Sequence, residues 1–80
     1  VNHYRYSFTA ECPEDGDSVL YILQIECETK ILAEDIRENC KRGSVYHEEL
    51  ADDLATCLPG NQTLTANHRG VEIVTYRSGL

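Results

Sequence analysis

His3-Tyr4-Arg5-Tyr6-Ser7-Phe8-Thr9-Ala10-Glu11-Cys12 alternates without a break. Tyr4, Tyr6, Phe8, Ala10 and Cys12 fall on one face, and Arg5, Ser7, Thr9 and Glu11 on the other. That is the period of a half-buried strand. Pro13-Glu14-Asp15-Gly16-Asp17 is a turn by composition. A second strand follows, with Val19, Tyr21, Leu23, Ile25 and Cys27 on one face. Leu20 and Ile22 make its other face apolar as well, which predicts cover on both sides at that end.

The period then becomes helical. Thr29 is placed to cap a helix whose buried stripe is Leu32, Ala33, Ile36 and Cys40, stopped by Gly43. Ser44 is placed to cap the next, with Leu50, Ala51, Leu54, Cys57 and Leu58 inward and Pro59-Gly60 ending it. Gln62 to Ala66 and Val71 to Tyr76 read as a hairpin around Asn67-His68-Arg69-Gly70. Residues 1–80 are therefore expected to form one α+β domain in the order ββααββ. The architecture this implies is an antiparallel four-stranded sheet with two helices on one face.

A core this small roughly balances chain entropy, at about 1.5 kcal/mol lost per ordered residue, so oligomerisation, a metal or disulfides would add comfort. The hydrophobic share of 41% argues against disorder. Seven basic and fourteen acidic residues give a formal charge of −7, which repels phosphate backbones and argues against direct nucleic-acid binding. The longest apolar run, Val19 to Leu23, is far too short to span a membrane, so no membrane partner is expected. No positive-then-apolar leader is visible, and a cytoplasmic location is the expectation.

The four cysteines, Cys12, Cys27, Cys40 and Cys57, all fall on apolar faces and would serve first as small core residues. Without a C-x-x-C or H-x-x-x-H pair, a closed zinc site would need ligands from separate elements, and no metal is expected. Their even number, the small size and the Asn61-Gln62-Thr63 glycosylation tripeptide leave open a binding or interaction module without catalysis, stapled by disulfides. An acidic mimic of nucleic acid is a weaker alternative, because the carboxylates are spread along the chain. Cys12 differs from the other cysteines. It ends a strand against a Pro-Gly turn, where a side chain can reach the mouth of a cleft.

Four short motifs occur in one order. Cys12-Pro13-Glu14-Asp15-Gly16 resembles the Cys-Pro-x-x-Gly turn of the 7-cyano-7-deazaguanine reductases. Glu28-Thr29-Lys30-Ile31-Leu32 is similar to that family's Glu-Ser-Lys-Ser-Leu signature. Gly43-Ser44-Val45-Tyr46-His47-Glu48 resembles its Gly-x-Phe-His-Glu segment, and Arg69-Gly70-Val71-Glu72-Ile73 its Arg-Gly-Gly-Ile-x-Ile hairpin. The resemblance runs from about Cys12 to Gly79 and implies the tunnelling fold, whose subunits close into homo-oligomeric barrels with sites between chains.

In that family a cysteine thiolate attacks a nitrile carbon of the deazapurine and forms a thioimide, which NADPH reduces to the amine in a pathway of transfer-RNA base modification. The resemblance implies Cys12 as nucleophile, Asp17 as proton donor with Asp15 close enough to compete, and His47 as a residue positioning the nitrile. It implies Glu28 and Glu48 as substrate ligands, and Lys30, Arg69 and Gly70 near the cofactor. An ordinary thiol titrates near about 8.5 and needs a base or a positive field to react. Glu48 near a helix start is favoured as a carboxylate by the helix dipole, and could accept two N–H bonds from a purine-like edge. Ala33 stands where the family has a cofactor-contacting lysine, and Val71 where it has a second glycine. These departures leave room for a cofactor-independent relative of the kind that adds an amine to the nitrile. They also leave room for a relic without activity.

Overall fold

A computed structural model describes residues 1–80. The elements are β1 (Asn2–Glu11), β2 (Ser18–Cys27), α1 (Ala33–Asn39), α2 (His47–Cys57), β3 (Asn61–His68) and β4 (Val71–Ser78). The strands form one antiparallel sheet in the order β1-β2-β3-β4. The expected ββααββ α+β fold is the one observed.

Alternation decides which face is buried. Val19, Tyr21, Leu23, Ile25 and Cys27 of β2 are all buried, and join Leu64 and Ala66 of β3 in a single core with Ile36, Leu50, Ala51 and Leu54 of the helices. Both helices thus lie on one face, with α2 over β3 and β4. No helix is long and apolar enough to cross a membrane.

The opposite face is open. Leu20 is 47% exposed and Ile22 is only partly buried, so the expected cover on both sides is absent within one chain. Their cross-strand neighbours Thr9, Ser7, Asn67 and Thr65 are polar, and no element crosses above them.

Two helix starts differ from expectation. Thr29 does not cap α1; Leu32 holds that position without a side-chain bond, and Thr29 Oγ1 lies instead 3.1 Å from Cys27 Sγ. Leu32 and Ala33 are exposed, because a helix of 7 residues touching the core along one line buries Ile36 alone. Ser44 does not cap α2 either. It is drawn into a parallel bridge with Glu11, and Tyr46 is the residue before the helix. Cys57, in the last turn of α2, points to solvent, while Leu58 turns inward.

That bridge matters for the site. Glu11 N donates to Gly43 O at 3.0 Å and Val45 N donates to Glu11 O at 3.1 Å. The segment before α2 is thereby pinned alongside the end of β1, and His47 is brought towards Cys12.

At the other helix end, the buried Gln62 donates from Nε2 to Leu58 O at 2.8 Å, satisfying a carbonyl that α2 cannot. The β3–β4 connection is a two-residue turn in which Arg69 (φ 55°) and Gly70 (φ 84°) both take positive φ, as a tight hairpin requires.

Candidate functional site

A meander of this order places the β1–β2 turn and the β3–β4 turn at the same end of the sheet. Cys12 opens the first turn, with its N–H donating to Asp17 O at 2.8 Å and its carbonyl accepting from Gly16 N at 2.8 Å. Asp17 N donates to Asp15 Oδ1 at 2.9 Å, so the turn folds its own carboxylate back beneath itself.

Arg69 reaches across from the second turn. Its Nε lies 2.6 Å from Asp17 Oδ2 and its Nη2 lies 3.2 Å from Asp15 Oδ2. This clamp explains how a non-glycine residue is held at positive φ, a conformation costing about 1–2 kcal/mol.

Cys12 Sγ, an Asp15 carboxylate oxygen and a His68 ring nitrogen lie within 4.8 Å of one another. The Asp15 carboxyl is held below its ordinary range, first by the Asp17 N–H; partial burial opposes this, and the Cys12 thiol, Arg69 and His68 add to it. His68 Nε2 lies 3.4 Å from Asp15 Oδ2, yet it is shielded from solvent and has no hydrogen-bond partner.

Cys12 and His68 also line a cavity of about 220 Å³, with Tyr21, Tyr46, His47 and Ile73 on its wall. His47, the first residue of α2, is fixed by a 2.7 Å hydrogen bond between its Nε2 and Thr75 Oγ1. Its ring lies 5.8 Å from that of Tyr21, which stacks on Phe8 at 5.4 Å. Burial lowers the His47 pKa, Glu48 raises it and Arg77 lowers it further, for a net shift below its usual 6.5. Burial and the neighbouring Cys12 sulfur push the Tyr21 phenol above its ordinary 10. The wall therefore favours a neutral imidazole and a protonated phenol beside the sulfur.

The candidate residues divide. Cys12 and His47, from elements far apart in sequence, share one cavity. Asp15, not Asp17, has its carboxylate beside the Cys12 sulfur; Asp17 faces Arg69. Glu48 does not line the cavity. Its side chain is 73% exposed and accepts from Arg77 Nη2 at 2.7 Å. Glu28 and Lys30 follow the far end of β2. Ten residues of strand at about 3.3 Å each put them roughly 30 Å from Cys12 in the same chain.

Arg69 is engaged by two carboxylates, and Gly70 serves the hairpin. With Lys30 at the opposite end, these three do not form a cradle for a dinucleotide phosphate within one chain. A larger depression of about 450 Å³ lies at the Cys27 end of the open face, and none of the candidate residues lines it.

His68 and Tyr21 were missed as site residues by sequence reasoning. The signal was present in the topology, since consecutive antiparallel strands put residues 12 and 68 at one end. All four sulfurs are unpaired, with Cys27 and Cys40 buried, Cys12 half-buried and Cys57 exposed.

Comparison of the chain with protein-family models, curated proteins and solved structures finds no match to any of them.

Proposed function

We propose that this protein is a tunnelling-fold-like, thiol-dependent enzyme that captures a nitrile-bearing 7-deazapurine on Cys12. One observation carries the reading: the sulfur of the Cys-Pro turn and the imidazole of the His-Glu pair open onto the same cavity. The collinear motifs resembling 7-cyano-7-deazaguanine reductases supply the substrate class.

The step balances without a leaving group. Cys12 sulfur attacks the nitrile carbon and a C–S bond forms. One π bond of the C≡N group breaks, and its electron pair takes a proton at nitrogen. His68, which has a ring nitrogen within 4.8 Å of Sγ, accepts the thiol proton, because the Asp15 carboxyl is held below its ordinary range and is the poorer base. Tyr21, held protonated, and His47 are the wall groups available to donate to the nitrile nitrogen.

Arg69 is neutralised by Asp15 and Asp17, which favours displacement of the sulfur by an amine over reduction by a dinucleotide. In that route the amine nitrogen bonds to the thioimide carbon, the C–S bond breaks, and an amidine and the free thiol result.

The cavity, at about 220 Å³, is smaller than the roughly 300 Å³ at which complete small-molecule sites begin. A second subunit would complete it. A homo-oligomer in which the Glu28–Lys30 end of one chain meets the Cys12 end of another would join the two groups of candidate residues.

The test is intact-mass analysis of the protein incubated with 7-cyano-7-deazaguanine. A mass increase equal to the whole nitrile, absent in Cys12→Ala and accompanied by thioimide absorbance, is expected. An unmodified mass, or identical labelling of wild type and Cys12→Ala, would refute the reading.

A further inference from the structure

Cys12, Asp15 and His68 bring three different side-chain types together at one end of the sheet. Thiol, carboxylate and imidazole are the three side-chain types that bind zinc and related borderline divalent ions. Their ligand atoms converge from two separate turns, which is why no sequence spacing announces them. We propose that these three residues form a binding site for a thiophilic divalent cation of the zinc class, with its fourth position open to the adjacent cavity.

The geometry is close to that of a metal site. With Zn–S about 2.3 Å and Zn–N or Zn–O about 2.0–2.2 Å, tetrahedral ligand atoms stand roughly 3.4–3.7 Å apart. Asp15 Oδ2 and His68 Nε2 already stand at 3.4 Å, and no pair in the trio exceeds 4.8 Å. Closing the remainder takes a shift of about 1 Å by Cys12 or Asp15, both on a turn.

His68 Nε2 supplies the independent sign of a ligand. It is shielded from solvent and lies 3.4 Å from Asp15 Oδ2, yet it makes no hydrogen bond. A shielded nitrogen left without a partner is destabilising, and a cation bound there would remove that cost.

Charge agrees. A bound dication would meet two negative ligands, and Arg69, which now shares Asp15 Oδ2, keeps its second partner Asp17 when Asp15 turns to the metal. Cys12 and His68 both line the cavity, so exogenous ligand or water can reach the fourth position. That is the open coordination of reactive zinc sites, in contrast to closed structural ones.

The inference stands on these three side chains and does not need the nitrile reading. It adds a consequence for that reading: metal and nitrile compete for one sulfur.

The experiment is titration of the reduced, metal-free protein with Co²⁺ and Zn²⁺ at pH 7.5, in a Cys57→Ser background. One equivalent of Co²⁺ should give thiolate-to-cobalt charge-transfer absorption, which Zn²⁺ displaces. Cys12→Ser should abolish that band, and His68→Ala or Asp15→Asn should weaken binding at least tenfold. Cys57→Ser alone should leave it unchanged. In the same samples, Zn²⁺ should slow alkylation of Cys12 at least tenfold.

Circular dichroism of each metal-free variant separates loss of a ligand from loss of fold. A folded wild type that shows no charge-transfer band, or a band retained in Cys12→Ser or undiminished in folded His68→Ala, would overturn the proposal. If metal binds but no nitrile adduct forms on the metal-free protein, the catalytic reading alone fails.

Discussion

Thr75→Val tests how His47 is held. Thr75 is 8% exposed and its hydroxyl forms the one hydrogen bond recorded for the His47 ring, at 2.7 Å. Valine keeps the shape and deletes the partner. His47 Nδ1 is already buried without one, so the variant leaves both ring nitrogens unpaired. A neutral hydrogen bond contributes about 0.5–1.5 kcal/mol net, and a buried unsatisfied group costs about 1–3 kcal/mol. The partial exposure of His47 lets water offset some of this, and valine favours strands by a few tenths of a kcal/mol. The loss worked from these terms is about 1–2 kcal/mol. For a domain of this size that lowers Tm by roughly 4–16 °C. Thermal unfolding followed by circular dichroism at pH 8 reads it directly, and His47→Phe with the double variant completes a cycle. A coupling of about 1 kcal/mol is expected between the two sites. Effects that simply add, or a Tm within about 2 °C of wild type, would refute the reasoning.

Burial pushes the Cys40 thiol up to about 11, which leaves on the order of one thiolate in a thousand at pH 8. Peptide mapping after brief iodoacetamide treatment of the native protein should find Cys57 and Cys12 labelled before Cys27 and Cys40, whereas early labelling of Cys40 would contradict its burial. Gly60 has φ 92°, and a Cβ there would stand 2.6 Å from Glu26 O and 2.9 Å from Cys27 Cβ. Strain and overlap together should make Gly60→Ala about 2–4 kcal/mol less stable by urea unfolding, and a loss under about 0.5 kcal/mol would disagree. His47 titrates below 6.5 in the folded chain, with burial acting first and Glu48 and Arg77 opposing one another across it, in a pocket shared with Tyr21, Cys12 and His68. Because its folded pKa is depressed, its contribution is full above 6.5 and is lost as pH falls through the lower folded value. Between pH 7 and 5 the stability of wild type should therefore fall more steeply than that of His47→Phe; parallel curves would show that burial of the ring does not matter.

Element order and the buried faces of the strands were legible because alternation is a local property: Tyr21, Leu23 and Ile25 could face only one way together. The helix caps were not legible. Thr29 and Ser44 have the chemistry of caps, but one sits beside Cys27 Sγ and the other is held in a bridge to Glu11, a contact between residues far apart in sequence. The helical pattern around Leu32 and Ala33 also overstated burial, since one short helix meets the core at Ile36 only. Part of the candidate site could be read from motifs: Cys12 and His47, each singled out by a short motif, line one cavity. The rest depended on topology. Asp15 and His68 gain their places from turns at one end of the sheet, and Glu48 is drawn aside by Arg77, whose position in β4 no local pattern reveals.

A shared site requires Cys12 to face the imidazoles of His47 and His68, and NMR measures that directly. In a Cys57→Ser background, Cys12 is capped as its S-methyl disulfide and the ring signals of the three histidines are compared before and after. The His47 and His68 resonances should shift while His3, paired near the other end of the sheet with Glu26, stays in place. Capping that leaves His47 and His68 unmoved, or that moves His3 as much, would contradict the shared site.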